Sequence, residues 1–369
     1  ALEKSLAVVM PTPNRNGGSS PLRVTPKCIH MMIYLGLPLL AVHMVDYVSQ
    51  NTALSVARDA YALDLFSGEG AIHAAFREAG AKPLDYDMVL RPLENNILTT
   101  LGMLDAVKAI LRVREGGLAH AGPPCSSFVW LNRGTSKRSL KSPAGNIKEP
   151  TVISGNQITA RTVIILLIGL ARCVTFAIEQ PRTSIMQHFS PVHGMKCAIQ
   201  NLLGLKWRSQ NFHMGSFGSA TPKPTVCFGI APWLGMLYRK FTKKDRARLR
   251  RRMKKLNRPQ MVRKYRNKEG KKRVCGDRGL KASQVYPKGY GLQVCKWQLE
   301  HMAQYADELR QILYGPKVQG EMPTLKECVT NALPIRYWRW ANLQPIREFL
   351  KEEVEKGRYR PTLKRGLFD

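Results

Sequence analysis

At 369 residues and 44% hydrophobic content, the chain is long and apolar enough to bury one large core or two ordinary ones, which sets it among globular proteins. Its 58 Lys and Arg against 26 Asp and Glu give a formal net charge of +32, a self-repulsion at low salt that a nearby polyanion relieves. Nucleic acid is therefore the first partner to consider, ahead of an anionic membrane or a place in the ribosome. Cys28, Cys125, Cys173, Cys197, Cys227, Cys275, Cys295 and Cys328 form no CxxC pair and no zinc-type spacing with histidine. No disulfide framework, zinc finger or other metal site is indicated, and such scatter suits a reducing compartment in which one cysteine can be a nucleophile.

Residues 1–58 read as an N-terminal extension, partly disordered, because PTPNRNGGSSP is dense in turn and linker residues. Within it the apolar run Met31 to Val42 carries Pro38 and is too short for a bilayer of about 30 Å, so a buried element is expected and no membrane partner. A cleaved signal segment is the competing reading, but it would stand nearer the start. Over residues 59–235, short apolar runs alternate with helical patterns, the mark of an α/β fold with a mostly parallel sheet and helices on both faces.

Three motifs in this domain carry chemistry. YALDLFSGEGAIHAAFREAG reads as a strand from Tyr61 to Phe66, a turn in which Gly68 and Gly70 allow close backbone approach, and a helix whose N-terminal N–H groups face a polar ligand. The short strand Pro83-Leu84-Asp85-Tyr86-Asp87 then ends in an acid placed for ribose hydroxyls, as in nucleotide-type cofactor sites; a plain structural turn is the alternative. In GGLAHAGPPCSSFVW, a strand from Gly117 to Ala121 meets the rigid turn Gly122-Pro123-Pro124, which presents Cys125 at a strand's C-terminal end. A thiol there, beside a helix start and basic residues, is expected to have a lowered pKa and to act as a nucleophile; a small buried cysteine is the alternative. After a helix from Gln157 to Arg172, the strand Val174 to Ile178 ends in Glu179-Gln180-Pro181, and Glu179 is placed as an acid catalyst or, failing that, as a solvated loop acid.

Residues 236–284 form a small basic segment: between Arg239 and Arg273 lie 19 Lys or Arg and two acids, Asp245 and Glu269. RARLRRRMKKLNR reads as a basic helix whose Arg248, Arg250, Arg251, Arg252, Lys254 and Lys255 meet a phosphate backbone; a solvated linker or a nuclear localisation signal is the alternative. Residues 285–369 resume helical patterning in GLQVCKWQLEHMAQYADELRQIL, completing the catalytic domain before a charged tail.

The ordered set DLFSGEGA, GPPCSS and IEQP resembles the cofactor, nucleophile and acid motifs of cytosine carbon-5 DNA methyltransferases. The resemblance spans roughly residues 65–298 and implies a class I, Rossmann-like methyltransferase fold with S-adenosylmethionine as cofactor. It implies that Cys125 adds to carbon 6 of the base while Glu179 protonates ring nitrogen 3. Phe66 would stack on the adenine, with Ser67, Gly68 and Gly70 at the methionine end and Asp87 on the ribose. Asp105 would lie near the adenine amine and Pro124 by the sulfur, while Gly291, in Tyr290-Gly291-Leu292-Gln293-Val294 before a helix, would close the pocket. Two departures stand out: Gln180 replaces the usual Asn, and Thr221-Pro222-Lys223-Pro224-Thr225 occupies the place of a Gln-x-Arg-x-Arg strand, where Lys223 replaces the first arginine and Thr225 cannot supply the second. The expectation is a monomeric, nuclear methyltransferase acting on cytosine in DNA, with RNA second. A catalytically inactive nucleic-acid-binding relative is the alternative, as is an adenosylmethionine enzyme in which Cys125 is incidental.

Overall fold

The computed structural model describes residues 24–51, 58–255, 262–266, 269–270, 272–276, 284–315, 335–363 and 365–368. Thr25 caps the first helix by accepting a hydrogen bond from the Cys28 amide, and Pro26 occupies the first turn, so α1 (Pro26–Tyr34) starts where proline is best tolerated. It leads into α2 (Leu39–Asn51), and residues such as Met31, Met32, Met44 and Val45 are fully buried. Residues 24–51 are thus part of the main core and not an extension, because their apolar run is long enough to make two buried helices. The linker-like PTPNRNGGSSP lies outside the described residues.

From Ala60 onward strands and helices alternate: β1 (Ala60–Leu65), α3 (Ala71–Glu78), β2 (Pro83–Tyr86), α4 (Thr100–Leu111), β3 (Val113–Ala121), the short α5 (Arg133–Ser136), α6 (Pro150–Leu170), β4 (Thr175–Pro181), α7 (Ser190–Leu203), β5 (Arg208–His213) and β6 (Pro224–Gly229). The six strands form one sheet in the order β2-β1-β3-β4-β6-β5. The first four are parallel, and β6 is antiparallel to both β4 and β5. The chain steps from β1 outward to β2 and then returns to β3 on the other side of β1, so the topological switch point lies between β1 and β3. In open α/β sheets that crevice, at the carboxyl ends of the strands, is where ligands bind.

The period-2 alternation of the strands feeds two cores. Leu63, Leu65, Ala119, Ala121, Phe176 and Ile178 face α4, α6 and the N-terminal helices. Ala62, Leu118 and Ala177 face the other side, where α3 and the long α9 (Lys288–Tyr314) lie. Val163 to Leu170 are buried on every side of α6, as expected for a helix in the middle of a core, each large aliphatic side chain contributing about 1.5–3 kcal/mol of transfer free energy. Among the described residues α6 is the one helix long and apolar enough to cross a membrane, and 78% of its apolar window is buried inside the protein.

The C-terminal elements α10 (Ile335–Trp338) and α11 (Gln344–Glu355) close the same core as α1 and α2. The buried Arg161 guanidinium donates to the carbonyls of Ala341, Asn342 and Ile97, each at 2.7 Å, and Trp338 Nε1 donates to Gly36 O at 2.9 Å. The two ends of the described chain are therefore fastened to one another through the body of the protein.

Two elements extend differently from the sequence reading. β4 runs on through Glu179 to Pro181 because β6 pairs with it as far as Pro181 opposite Thr225, which holds the acid inside the sheet. Tyr290 to Val294 do not precede a helix; they lie in the first turns of α9.

Candidate active site at the switch point

The turn after β1 is built by backbone geometry that few residues adopt. Phe66 (φ 63°), Gly68 (φ 54°) and Gly70 (φ 66°) all have positive φ, which folds the chain back before α3 begins. The non-glycine Phe66 in this region is a local strain of the kind that clusters at ligand sites. Asp87, just after β2, braces the turn: one carboxylate oxygen accepts from the Gly68 amide at 2.9 Å, the other from the Val89 amide at 2.7 Å. Ser67 is buried and its Oγ has no hydrogen-bond partner; a Cβ on Gly68 would meet open space, and no side chain caps α3. Phe66, Ser67, Gly68, Gly70 and Asp87 therefore share one cradle, with a polar atom and a helix N-terminus turned towards it.

The turn after β3 stands beside it. Gly122 N donates to Leu65 O at 3.0 Å, tying the two turns together, and Gln180 Nε2 donates to Pro123 O at 2.8 Å, tying the second turn to β4. Pro123 is buried, Pro124 exposed and Cys125 half-buried. Glu179 and Lys223 reach the same place from β4 and from the turn before β6, with Lys223 Nζ 3.5 Å from Glu179 Oε1. That oxygen is buried and makes no hydrogen bond, whereas Oε2 accepts from Tyr286 Oη at 2.9 Å. The lysine ammonium also sits 4.8 Å from the centre of the Tyr286 ring.

The thiol differs from its expected state. Burial, with the Glu179 carboxylate second, pushes Cys125 up to about 11, and Lys223 offsets only part of this. The sequence reading of a lowered pKa counted neighbouring cations; the structure adds desolvation and an adjacent anion, which outweigh them. Thr225, in the place of the missing arginine, is fully buried and donates to Lys223 O at 2.9 Å, holding the lysine-bearing turn.

Of the other two proposed cofactor residues, Asp105 lies away from the cradle and Gly291 lies against the start of α3. Asp105 lies in the middle of α4, where its carboxylate accepts from Asn95 Nδ2 at 2.9 Å and burial raises its pKa. The chain passes from β2 to β3 through this helix with no strand between them, so no strand end carries Asp105 to the switch point. Gly291 is a packing glycine: a Cβ there would stand 2.2 Å from Ala71 O, so it allows α9 to cross α3 in near contact.

Sequence reasoning missed Tyr286 and the buried chain behind it. His120 Nδ1 lies 3.3 Å from Asp64 Oδ1 and His120 Nε2 3.1 Å from Tyr290 Oη, with both Asp64 and His120 shut off from solvent. The Tyr286 ring packs edge-on against His120 with centroids 5.5 Å apart. Burial, then Glu179, keeps the Tyr286 hydroxyl protonated well above the usual phenol range, so it is a firm donor to that carboxylate. Gly122 carries the one legible trace of this contact, since a Cβ there would lie 2.4 Å from Tyr286 Oη.

The basic segment begins with α8 (Lys243–Lys255). Thr242 and Asp245 cap it reciprocally, Asp245 accepting from the Thr242 amide at 2.9 Å and Thr242 Oγ1 accepting from the Asp245 amide at 3.2 Å. Leu249 is its buried anchor, lying against Gly215 and Phe241, while Arg248, Arg250, Arg251, Arg252, Lys254 and Lys255 are all exposed. A hairpin follows, β7 (Val262–Arg266) and β8 (Lys272–Gly276), which the sequence reading did not separate from the helix.

Fold and site together define a doubly wound α/β protein with a thiol, a carboxylate and an ammonium gathered beside a strained glycine turn. Neither a protein-family model nor a curated protein matches the chain.

Proposed function

We propose that this chain transfers a methyl group from S-adenosylmethionine to carbon 5 of cytosine in nucleic acid, DNA first and RNA second, with Cys125 as nucleophile. The observation that carries the reading is the convergence of Cys125, Glu179 and Lys223 beside the Gly68 turn, with Glu179 Oε1 buried, ion-paired with Lys223 and making no hydrogen bond. A class I methyltransferase architecture is the finer form of the doubly wound sheet, and the motif order after β1, β3 and β4 favours it.

The cradle suits the cofactor. The unpartnered Ser67 Oγ, the open space at Gly68 and the uncapped start of α3 fit a polar amino-acid end, Asp87 offers its remaining lone pairs to ribose hydroxyls, and Phe66 and Pro124 flank the group. Bound there, S-adenosylmethionine supplies an electrophilic methyl carbon. Cys125 Sγ forms a bond to carbon 6 of the base, and the electron pair of the 5,6 double bond moves to carbon 5, which takes the methyl group. Glu179 takes up the proton that the Cys125 thiol gives up and passes it to ring nitrogen 3, so the charge developing on the ring is neutralised. The same proton transfer couples to the thiol. While Glu179 engages the ring, the carboxylate that raises Cys125 is occupied elsewhere, and Lys223 is left to favour the thiolate. Loss of the carbon-5 proton to solvent and cleavage of the Sγ–carbon 6 bond restore the aromatic ring, while the proton on ring nitrogen 3 returns through Glu179 to the departing thiolate and restores the free cysteine. In a duplex the target base must leave the stack, because carbon 6 is closed to attack within it.

Tritiated methyl transfer to mixed DNA and RNA, with wild type and Cys125→Ala, tests this. Label recovered as 5-methylcytosine from the wild type alone supports the reading and names the substrate. Two observations favour a second reading, an inactive nucleic-acid binder: burial pushes the Cys125 thiol up to about 11, and Thr225 offers no guanidinium. That reading predicts bound nucleic acid and no label.

A further inference from the structure

Five residues beyond the nucleophile, the chain presents Trp130 in a short 3-10 turn (Trp130–Asn132) with 67% of its surface exposed, although the rest of the described chain buries most of its large aromatics. A single exposed ring is common on protein surfaces, so what gives this one meaning is where it stands and what surrounds it. The turn is fixed to the reaction centre at both ends. Asn132 Nδ2 donates to Ser126 O at 2.6 Å, and Val129 pairs with Ser184 just beyond β4. Behind it, the buried Arg138 donates to Ser127 Oγ at 2.9 Å and to Asn156 Oδ1 at 2.9 Å, and lies over the Phe128 ring at 3.6 Å, so the segment is rigid where it leaves the core.

Its surroundings are cationic. Between Cys125 and Lys148 the chain carries Arg133, Lys137, Arg138, Lys141 and Lys148 and no acidic residue. All but Arg138 are exposed. The Arg133 guanidinium stacks on the Trp130 ring at 4.4 Å, and β8 of the basic hairpin packs alongside the same turn. A flat ring backed by a guanidinium, on a segment whose exposed charges are all cationic, matches the chemistry of an unstacked nucleobase with its phosphates.

We propose that Trp130 is a stacking platform for a nucleobase of single-stranded nucleic acid, next to the base presented to Cys125. The occupant is a nucleic-acid base and not an apolar peptide, because the patch is a lone aromatic in a cationic frame. The proposal rests on the functional reading above only for what lies over Cys125, and binding alone tests it.

Labelled cytosine-containing 12-mers, single-stranded and duplex, are titrated into wild type, Trp130→Phe and Trp130→Ala. Stacking contributes about 1–3 kcal/mol per base, so Trp130→Ala weakens single-strand binding by about tenfold while Trp130→Phe stays close to wild type. The salt dependence of log K keeps its slope, since no charge is removed. A single strand abasic at every position binds all three proteins equally. Equal affinity of wild type and Trp130→Ala for the single strand overturns the proposal, as does an equal loss on duplex and abasic strands. If methyl transfer is absent while the Trp130 effect remains, the functional reading fails and the platform stands.

Discussion

The turn that presents Cys125 and the basic arm that follows β6 are built in opposite ways. The first is held from several sides: Gly122 to Leu65, Pro123 to Gln180, Ser127 to Arg138, with the β3 and β4 strands buried beneath it. Among the described residues the arm is held at its root by the buried Leu249, the stack of Phe241 on His213 and a reciprocal Thr242–Asp245 cap, and it leaves six named cations of α8 in solvent. The proposed chemistry thus rests on rigid elements, and the proposed nucleic-acid contact on exposed charge. Damage to one region should leave the other working.

The largest expected effect sharpens that division. Glu179→Gln keeps the shape of the side chain and removes its proton chemistry, so methyl transfer falls by about 10²–10⁴-fold while nucleic-acid affinity stays unchanged. An equal fall in both would break the separation. The mirror experiment is Arg250→Ala with Arg251→Ala and Arg252→Ala. If all three meet phosphates, the slope of log K against log salt decreases by about 2.7 on duplex DNA, from roughly 0.9 per contact, and turnover at saturating nucleic acid persists.

A third change addresses the sheet's other face. Gly291→Ala places a methyl group against Ala71 O, where a Cβ would stand at 2.2 Å, so unfolding stability drops by about 1–3 kcal/mol in a denaturant titration. Since Gly291 packs α9 on α3, it acts on the cofactor cradle only through the helix start it supports.

The smallest effect concerns the thiol. Cys125 is pushed up to about 11, so its alkylation by iodoacetamide in the free protein keeps accelerating as pH rises to that region, well beyond an ordinary cysteine. The Glu179 carboxylate raises this value and Lys223 lowers it, so Glu179→Gln shifts the alkylation profile to lower pH and Lys223→Ala to higher pH. Shifts in the same direction for both variants would contradict the arrangement.

Much of the site was legible because it is local. DLFSGEGA and GPPCSS are short segments whose glycines and prolines dictate their own turns, and the period-2 runs before them mark strands that end there. Glu179 and Lys223 were readable as candidates, but their ion pair depends on β6 pairing antiparallel with β4, a long-range fact with no local signature. Tyr286 was hidden for the same reason: it comes to Glu179 from across 107 residues of chain. The expected lowering of the Cys125 pKa failed because burial is a property of the packed structure and not of neighbouring letters. The packing role of Gly291 was not legible, because a glycine spared for helix packing and one spared for a ligand look the same in sequence. The N-terminal helices were obscured by a linker-like stretch before them, although Thr25-Pro26 is a plain helix start.

The central claim is that Cys125 Sγ joins carbon 6 of a cytosine, and it is tested most directly by trapping that bond. The protein is incubated with S-adenosylmethionine and oligonucleotides bearing 5-fluorocytosine, whose fluorine cannot leave as the proton does, and then denatured. The account predicts a denaturation-resistant protein–nucleic acid adduct with wild type, mapped to the peptide containing Cys125 and absent in Cys125→Ala. An adduct that persists in Cys125→Ala, or methylation of unmodified cytosine by that variant, would contradict it.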